Sequence, residues 1–377
     1  MAHIFKMPSA DAKGIVVLTH KELGWVQLFD ELRLRRALRS WWRRGGAARR
    51  DYFAFRREFR EHWPELKRRY FVGVHFGWSF ASAGFLGMAD FIMAPDSNLK
   101  GYAGPVPRTA LVSRNFIPDE VRDLGLGKFW DVINISRATK TKRLDQFLRA
   151  VRRLYDAGRN DRVLLLVASS GNETARTDYI DLVRDYYAMF SSAERERFCL
   201  MKLSPELRFP GLPVSAVNYL TSSARVLALF SEVEGGPKVI SEALACGLKV
   251  VTHARLAGGG LDLLNAENSE RFDGYETAHE ALARAIDHPM DDAARAAARS
   301  SVIAGDNIAR LKQFFAEIYA KHGQRFDGEL INLDRLQQRL PSHLNQDLPW
   351  ATYANETSDL VTLAQLRAFL AVALPER

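Results

Sequence analysis

The chain has 377 residues, of which 47% are hydrophobic and 26% are charged, so it holds enough apolar material for about two folded domains. No apolar run approaches the roughly 20 residues of a membrane-spanning helix, and the first residues lack the apolar core of a signal peptide. The formal net charge is +8, but residues 31–69 alone hold 14 Lys and Arg residues against 5 acidic ones. The basic character belongs to one segment and needs a local explanation.

The first part of the chain predicts three strands, over residues 14–19, 71–75 and 90–94. Ligands in open α/β sheets bind at the carboxyl ends of strands, so His75 is a candidate site residue, and His20 is another. Helices are expected around residues 26–40 and 79–88.

The basic segment predicts two helices separated by Gly45 and Gly46, with arginines interspersed among Trp and Phe residues. One possible partner is an anionic membrane, where aromatic rings lie at headgroup level and each basic residue adds about 1 kcal/mol. Another is a nucleic acid, with Arg on phosphates and rings stacked on bases. A third interpretation is a solvated helical hairpin whose aromatic side chains pack on the rest of the domain.

From residue 132 onward, apolar strands alternate with amphipathic helices. Strands are expected over residues 132–136, 163–168, 198–202, 226–230 and 248–252. Helices are expected near residues 144–154, 176–190, 213–222, 237–246, 277–287, 291–301, 306–321 and 360–374. This alternation predicts a doubly wound parallel sheet. Cys199 and Cys246 lie in apolar contexts without metal-ligand spacing, which is typical of reduced core residues in a cytoplasmic protein.

The stretch from Ser231 to Val251 joins two of these strands through a helix. Pro237 fits the first helical position, and Gly247 fits the position just past the last. Glu234 lies in the loop before the helix, and Glu242 lies on an otherwise apolar stripe of it. A carboxylate accepts two hydrogen bonds side by side, which suits neighbouring sugar hydroxyls. The structural alternative is a helix cap with a glutamate paired to an arginine.

Gly235 and Gly236 leave room for a ligand at the start of this helix, where free N–H groups favour an anion. Earlier in the chain, Arg137 and Lys142 follow a predicted strand. Several other short motifs occur in a fixed order: the Glu-x7-Glu pair Glu234 and Glu242, the Arg-x4-Lys pair Arg137 and Lys142, the glycine-rich turn at residues 257–260, and the segment Asn115–Pro118.

Over about residues 110–320 this ordered set resembles the retaining glycosyltransferases of family 4, although Ser136 and Arg143 replace the glycines that usually flank the Arg-x4-Lys motif. The resemblance implies a GT-B-like α/β fold of two Rossmann-like domains with parallel sheets. The N-terminal domain would be reduced and would bear the basic helical insertion at residues 31–70. The expected divisions are an acceptor-side domain at 1–122, a nucleotide-sugar-binding domain at 123–322, and a helical tail at 323–377 that packs back on the first domain.

The resemblance also implies roles for residues. Arg137 and Lys142 would hold the donor diphosphate and stabilise the charge on the leaving group, a task that needs no divalent metal or other cofactor. Glu234 would contact the donor sugar, Glu242 would bind the ribose, and His75 would serve on the acceptor side. Backbone and side chains of the same loop would complete the donor site: Gly235, Gly236, Pro237 and Lys238.

The predicted activity is a retaining, metal-independent transfer of a sugar from a nucleotide-sugar donor to a cell-surface glycan or a lipid-linked acceptor, by a cytoplasmic enzyme peripherally bound to the inner face of the membrane. Residues 169–175 and 208–216 would select the base. One alternative is a non-catalytic GT-B-like protein that binds a nucleotide sugar or acts as a scaffold. Another is a nucleic-acid-binding protein that uses the basic segment.

Overall fold

A computed structural model describes residues 2–19, 46–75, 88–99, 104–168, 173–203, 212–340 and 363–375. The chain divides into two compact units. Unit 1 comprises Met1–Phe116 and Ile308–Arg377, and unit 2 comprises Ile117–Asn307. The sequence places these divisions at residues 122 and 322 instead. The boundary near residue 322 moves to residue 307 because one helix, Ala304–Lys321, begins in unit 2 and continues into unit 1.

The strands are β1 His3–Lys6, β2 Gly14–Thr19, β3 Tyr70–His75, β4 Phe91–Met93, β5 Arg108–Thr109, β6 Trp130–Arg137, β7 Val163–Ala168, β8 Phe198–Lys202, β9 Ala224–Leu229, β10 Val233–Glu234, β11 Lys249–His253, β12 Ala257–Gly258 and β13 Ser269–Phe272. Every strand predicted from the sequence is present. The predictions omitted the short strands β1, β5, β10, β12 and β13, whose runs of two to four residues carry too little periodicity to be recognised.

The helices are α1 Gly46–Arg69, α2 Asp96–Leu99, α3 Leu144–Asp156, α4 Glu173–Met189, α5 Ser192–Arg195, α6 Val214–Ser222, α7 Lys238–Ala245, α8 Ala278–Asp287, α9 Asp292–Ser300, α10 Ala304–Lys321, α11 Leu336–Arg339 and α12 Leu363–Ala373. The helices predicted from residue 144 onward are all confirmed. Of the helices predicted around residues 26–40 and 79–88, only residue 88 falls within the described ranges. Among the residues that the structure describes, no helix is long and apolar enough to span a bilayer.

Unit 1 contains a five-stranded sheet in the order β1-β2-β3-β4-β5. Strands β2 to β5 run parallel, and β1 pairs antiparallel with β2. Helix α1 packs on this sheet through Phe59 and Leu66, which are buried. Helix α12 shares the same core, and its Arg367 pairs with Glu58 of α1 at 3.0 Å. The C-terminal helix therefore belongs to the unit that the N-terminal residues form.

Unit 2 contains a fully parallel six-stranded sheet in the order β13-β11-β9-β6-β7-β8. Successive strands are added outward from β6 to one edge and then outward from β9 to the other. One face is covered by α3, α4 and α8, and the other by α6, α7 and α9. This is the doubly wound topology, with its reversal of strand order between β6 and β9. Cys199 and Cys246 are free thiols, as predicted.

Candidate functional site

The site lies where the strand order of unit 2 reverses. In a doubly wound sheet the loops that follow the two central strands diverge to opposite faces and leave a crevice at their carboxyl ends. Strands β6 and β9 are those neighbours, with Ile133 opposite Leu227. The candidate residue Arg137 ends β6, and the segments that follow β6 and β9 carry Lys142 and Glu234. The sheet topology therefore brings together two motifs that are far apart in the sequence.

The end of β6 and the loop after it present two of the predicted cations. Arg137 is the last residue of the strand and is exposed, and within the described part of the chain its guanidinium forms no ion pair. A single 3₁₀ turn, Lys140–Lys142, follows and is closed by a hydrogen bond from the Lys142 N–H to the Thr139 carbonyl at 2.9 Å. Arg143 then turns the chain into α3.

The ε-ammonium of Lys142 forms an ion pair with Oε1 of Glu234. The pair is mostly shielded from water, because the Lys142 side chain is 21% exposed and that of Glu234 is 9% exposed. Charges with so little solvent attract each other more strongly than an exposed pair does. The two residues to which the resemblance assigns the diphosphate and the sugar are thus direct neighbours.

Glu234 is held by the short parallel pair of β10 and β12. Its carbonyl accepts a hydrogen bond from the N–H of Gly259 at 2.9 Å. Gly258 has φ of +94°, and a Cβ there would lie 1.8 Å from the Glu234 carbonyl oxygen. Only glycine fits that close approach. The glycine-rich turn therefore fixes the backbone of Glu234.

Helix α7 begins one residue later than predicted. Pro237 was expected at the first helical position, but its ψ of 98° is extended, so it is the N-cap residue and Lys238 is the first helical residue. The prediction of Gly247 just past the end is confirmed, since Cys246 caps the helix and Gly247 has φ of +74°. Gly235 and Gly236 precede the cap and are half-buried.

Two charged side chains lie along this helix. Glu242 is half-buried beside the buried residues Ser241 and Ala243. Burial lowers the pKa of Lys238, and the negative charge of Glu242 acts in the opposite direction. The partial positive charge of a helix N-terminus also disfavours a lysine in the first turn. Burial and the helix N-terminus thus both disfavour the charged form of Lys238, and an anion bound next to it would stabilise that form.

A second ion pair joins the same two loops. Nη1 of Arg143 donates to Oε1 of Glu232 at 2.7 Å, and its guanidinium carbon lies 4.9 Å from the ring centroid of Tyr275. The Tyr275 hydroxyl donates to the Phe230 carbonyl at 3.0 Å, and burial raises the pKa of that phenol to about 12. None of Arg143, Glu232 and Tyr275 was singled out as a site residue from the sequence. The only available signal was Arg143 itself, which stands where the family that the sequence resembles usually has glycine.

A cavity of about 380 Å³ opens between the loop after β6 and helix α4. Its lining includes four aspartates, at positions 145, 178, 181 and 185, against the two cations Lys140 and Arg143. The excess of negative charge disfavours a diphosphate there. The side of the loop that carries Lys142 and Glu234 is therefore the better site for an anionic donor.

His75 lies in unit 1, at the end of β3, and is 2% exposed. Its Nε2 accepts a hydrogen bond from the Ser113 N–H at 3.2 Å, so that nitrogen is unprotonated in this arrangement. His20 lies outside the described residues, and so do residues 169–172 and 208–211 of the predicted base-selecting segments. In the described half of the basic segment, Phe59 and Trp63 pack on unit 1, as the third interpretation of that segment expects.

Residues 117–304 match the model of the protein family described as "Glycosyl transferases group 1". The matched segment coincides with unit 2 to within three residues at its end. No curated protein sequence gives a significant match.

Among solved structures, the chain resembles an alpha,alpha-trehalose-phosphate synthase (UDP-forming) from Burkholderia xenovorans, with a TM-score of 0.50, 15% identity, and coverage of 67% of this chain and 69% of that one. A trehalose-phosphate synthase from Burkholderia vietnamiensis gives a TM-score of 0.50 and 14% identity, with coverage of 69% of each chain. At such identities the likeness shows the fold, which is GT-B. Units 1 and 2 each have an α/β architecture.

Proposed function

Because residues 117–304 belong to the glycosyl transferases group 1 family and the chain is a GT-B glycosyltransferase, we propose that it transfers a hexose from a nucleotide-sugar donor with retention of anomeric configuration and without a divalent metal. The acceptor we propose is a cell-surface glycan or a lipid-linked precursor of one. The donor would bind at the carboxyl ends of β6 and β9.

One observation carries this proposal: the ion pair of Lys142 with Glu234 at the reversal point of the sheet. It places a cation suited to phosphate beside a carboxylate suited to sugar hydroxyls. A nucleotide sugar contains these two groups in direct succession.

Arg137 and Lys142 would share the charge that develops on the departing diphosphate. Such fixed cations lower a barrier because they need not reorganise as the charge appears. The N–H groups at the start of α7 would also face the diphosphate, and a bound anion would stabilise the charged form of Lys238, which burial disfavours. Side-chain and backbone groups thus cover the role that a divalent metal has in other transferases.

In the proposed reaction the bond between the anomeric carbon and the diphosphate oxygen breaks, and the bond to the acceptor oxygen forms on the same face. The acceptor proton passes to the departing diphosphate oxygen. Glu234 would orient the sugar through its hydroxyls, and Glu242 would accept two hydrogen bonds from the ribose. His75 remains a proposed acceptor-side residue within unit 1.

We also propose that residues 31–69 bring the enzyme to an anionic membrane surface. The support is the charge of this segment, 14 basic against 5 acidic residues. Because Phe59 and Leu66 are buried in unit 1, the contact would depend on arginines rather than on insertion of those side chains. A surface of this kind would hold the enzyme near a lipid-linked acceptor.

The test is release of nucleoside diphosphate from a panel of UDP-, GDP-, ADP- and TDP-hexoses, with and without EDTA, in the presence of lipid-linked glycan acceptors. We expect turnover with at least one donor, unchanged by EDTA, and a product whose anomeric configuration matches the donor by NMR. Inversion or EDTA sensitivity would refute the corresponding part of the proposal. Donor binding with no turnover on any acceptor would favour a non-catalytic protein.

A further inference from the structure

Arg143 has an unusual backbone conformation next to the proposed diphosphate ligand. Its φ of 48° lies in the left-handed region, between the turn Lys140–Lys142 and helix α3. A residue with a Cβ is disfavoured there and stays only where its surroundings hold it. The contacts of the Arg143 side chain are therefore candidates for what holds this turn.

Those contacts reach two further loops of unit 2. The guanidinium donates to Glu232, in the loop after β9, at 2.7 Å, and it lies over the ring of Tyr275, in the loop after β13, at 4.9 Å. Tyr275 is itself anchored by its hydrogen bond to the Phe230 carbonyl. Arg143 thus joins the carboxyl ends of β6, β9 and β13 through one planar group, which can pair with a carboxylate and stack on a ring at once.

The two ion pairs join the same two loops. Lys142 pairs with Glu234, and its neighbour Arg143 pairs with Glu232. Consecutive residues of one loop are thus paired with alternate residues of the other, so a shift of either loop by one residue would break both pairs. The ammonium of Lys142 is carried on a flexible four-carbon chain, whereas the guanidinium of Arg143 contacts both Glu232 and Tyr275.

We propose that Arg143 is a positioning residue: clamped between Glu232 and Tyr275, it holds the ammonium of Lys142 at the point where the donor diphosphate binds. The inference rests on the proposed function, because it gives Lys142 a phosphate-binding role. Arg143 itself touches no reacting atom. The clamp fixes the loop before the donor arrives, so Lys142 needs little reorganisation when charge develops.

The test compares Arg143→Gly, Glu232→Gln and the double variant with the wild type. Glycine adopts the left-handed conformation without cost, so a merely structural Arg143 would make Arg143→Gly neutral or stabilising. Arg149→Ala, which removes an exposed arginine of α3, is the control for loss of charge. Arg143→Lys keeps the pair with Glu232 and should restore part of the activity.

Two measurements are needed. The first is the rate at which acetic anhydride modifies Lys142 relative to Lys140, read by peptide mass spectrometry, and we expect it to rise in Arg143→Gly and Glu232→Gln. The second is kcat and KM for the donor, and we expect kcat to fall by about 10- to 100-fold in each single variant, as for a small displacement of a catalytic group. The double variant should be no slower than either single one.

Wild-type Lys142 reactivity in Arg143→Gly would overturn the positioning role, as would additive losses of kcat. A lower kcat with unchanged Lys142 reactivity would also overturn it, since Arg143 would then act directly. Altered Lys142 reactivity in a protein whose wild type turns over no donor would refute the proposed function while leaving the clamp in place. The free energy of unfolding of each variant shows whether any loss comes from misfolding.

Discussion

Lys142 and Glu234, 92 residues apart in the sequence, form an ion pair at the carboxyl ends of two neighbouring strands of unit 2. Each residue lies in a different βα connection, and the parallel pairing of β6 with β9 brings those connections together. The pair is mostly shielded from solvent, so loss of one member leaves an uncompensated charge. The proposed catalytic role of each residue can therefore be tested through the other.

Replacing Lys142 with alanine should lower kcat by about 100- to 1000-fold, because a fixed cation facing the leaving group acts mainly in the transition state. Glu234→Ala should lower kcat as well, through loss of the sugar contact and displacement of Lys142. The measurement is steady-state nucleoside diphosphate release. Lys140→Ala removes an exposed lysine from the same turn and should retain wild-type kcat. Equal losses in Lys140→Ala and Lys142→Ala would contradict a specific role for Lys142.

Replacing Glu242 with alanine should raise the donor KM with little change in kcat. A contact to the ribose is the same in ground and transition states, so its loss weakens binding uniformly. Titration calorimetry with the nucleoside diphosphate should show weaker binding to the same extent. The matched control is Glu280→Ala, which removes an exposed glutamate of α8 in the same unit. A fall in kcat with unchanged KM would place Glu242 at the reacting centre instead.

Replacing Gly258 with alanine should reduce both activity and stability. The new Cβ would lie 1.8 Å from the Glu234 carbonyl oxygen, so the pairing of β10 with β12 must shift. Gly127→Ala is the matched control, because nothing lies within 4 Å of a Cβ there. We expect its activity and its unfolding midpoint in urea to equal those of the wild type. A functional Gly258→Ala enzyme would show that the turn tolerates displacement of Glu234.

The stability of unit 2 should depend on pH through Glu194. A hydrogen bond from Arg152, at 2.7 Å, and another from the Ser191 N–H lower the pKa of that carboxyl from 4.5 to about 2. A depressed carboxyl pKa contributes stability that is present above pH 4.5 and is lost as the pH falls toward 2. Glu194→Gln should therefore be less stable than the wild type at pH 7, and the gap should narrow at pH 3.

Urea unfolding at several pH values measures this gap. Glu317→Gln, an exposed glutamate of α10, provides the control with the same chemical change, and its difference from the wild type should be small at every pH. A Glu194→Gln gap that stays constant from pH 7 to pH 3 would show that the carboxyl is not stabilised in its charged form.

The basic segment allows packing to be separated from membrane binding. Phe59 is 1% exposed, so Phe59→Ala should cost about 3–5 kcal/mol of stability without weakening binding to vesicles. Replacing Arg43 and Arg44 with glutamine should instead weaken sedimentation with vesicles that contain anionic lipid, by about 1 kcal/mol for each arginine. Binding that ignores anionic lipid content but responds to added RNA would favour a nucleic-acid partner.

Much of unit 2 could be predicted from the sequence, because its strands and helices are long enough to show their periodicity. The apolar run Val163–Ala168 and the stripe of α3 are examples, and both are buried as expected. Pro237 was misplaced by one residue, since proline is compatible with both an N-cap and a first helical position. The two-residue strands β10 and β12 have no pattern of their own and exist only through their pairing with each other.

The sequence by itself determined the chemistry of the candidate site: which cations and carboxylates exist, and their spacing within each loop. Residue type and local periodicity are properties of short segments, so they can be read without the fold. Only the tertiary structure decided which of these groups meet. The pairing of β6 with β9 joins Lys142 to Glu234, and the left-handed turn at Arg143 brings that side chain to Glu232 and Tyr275. Such contacts depend on strand order and backbone direction, which no single segment encodes.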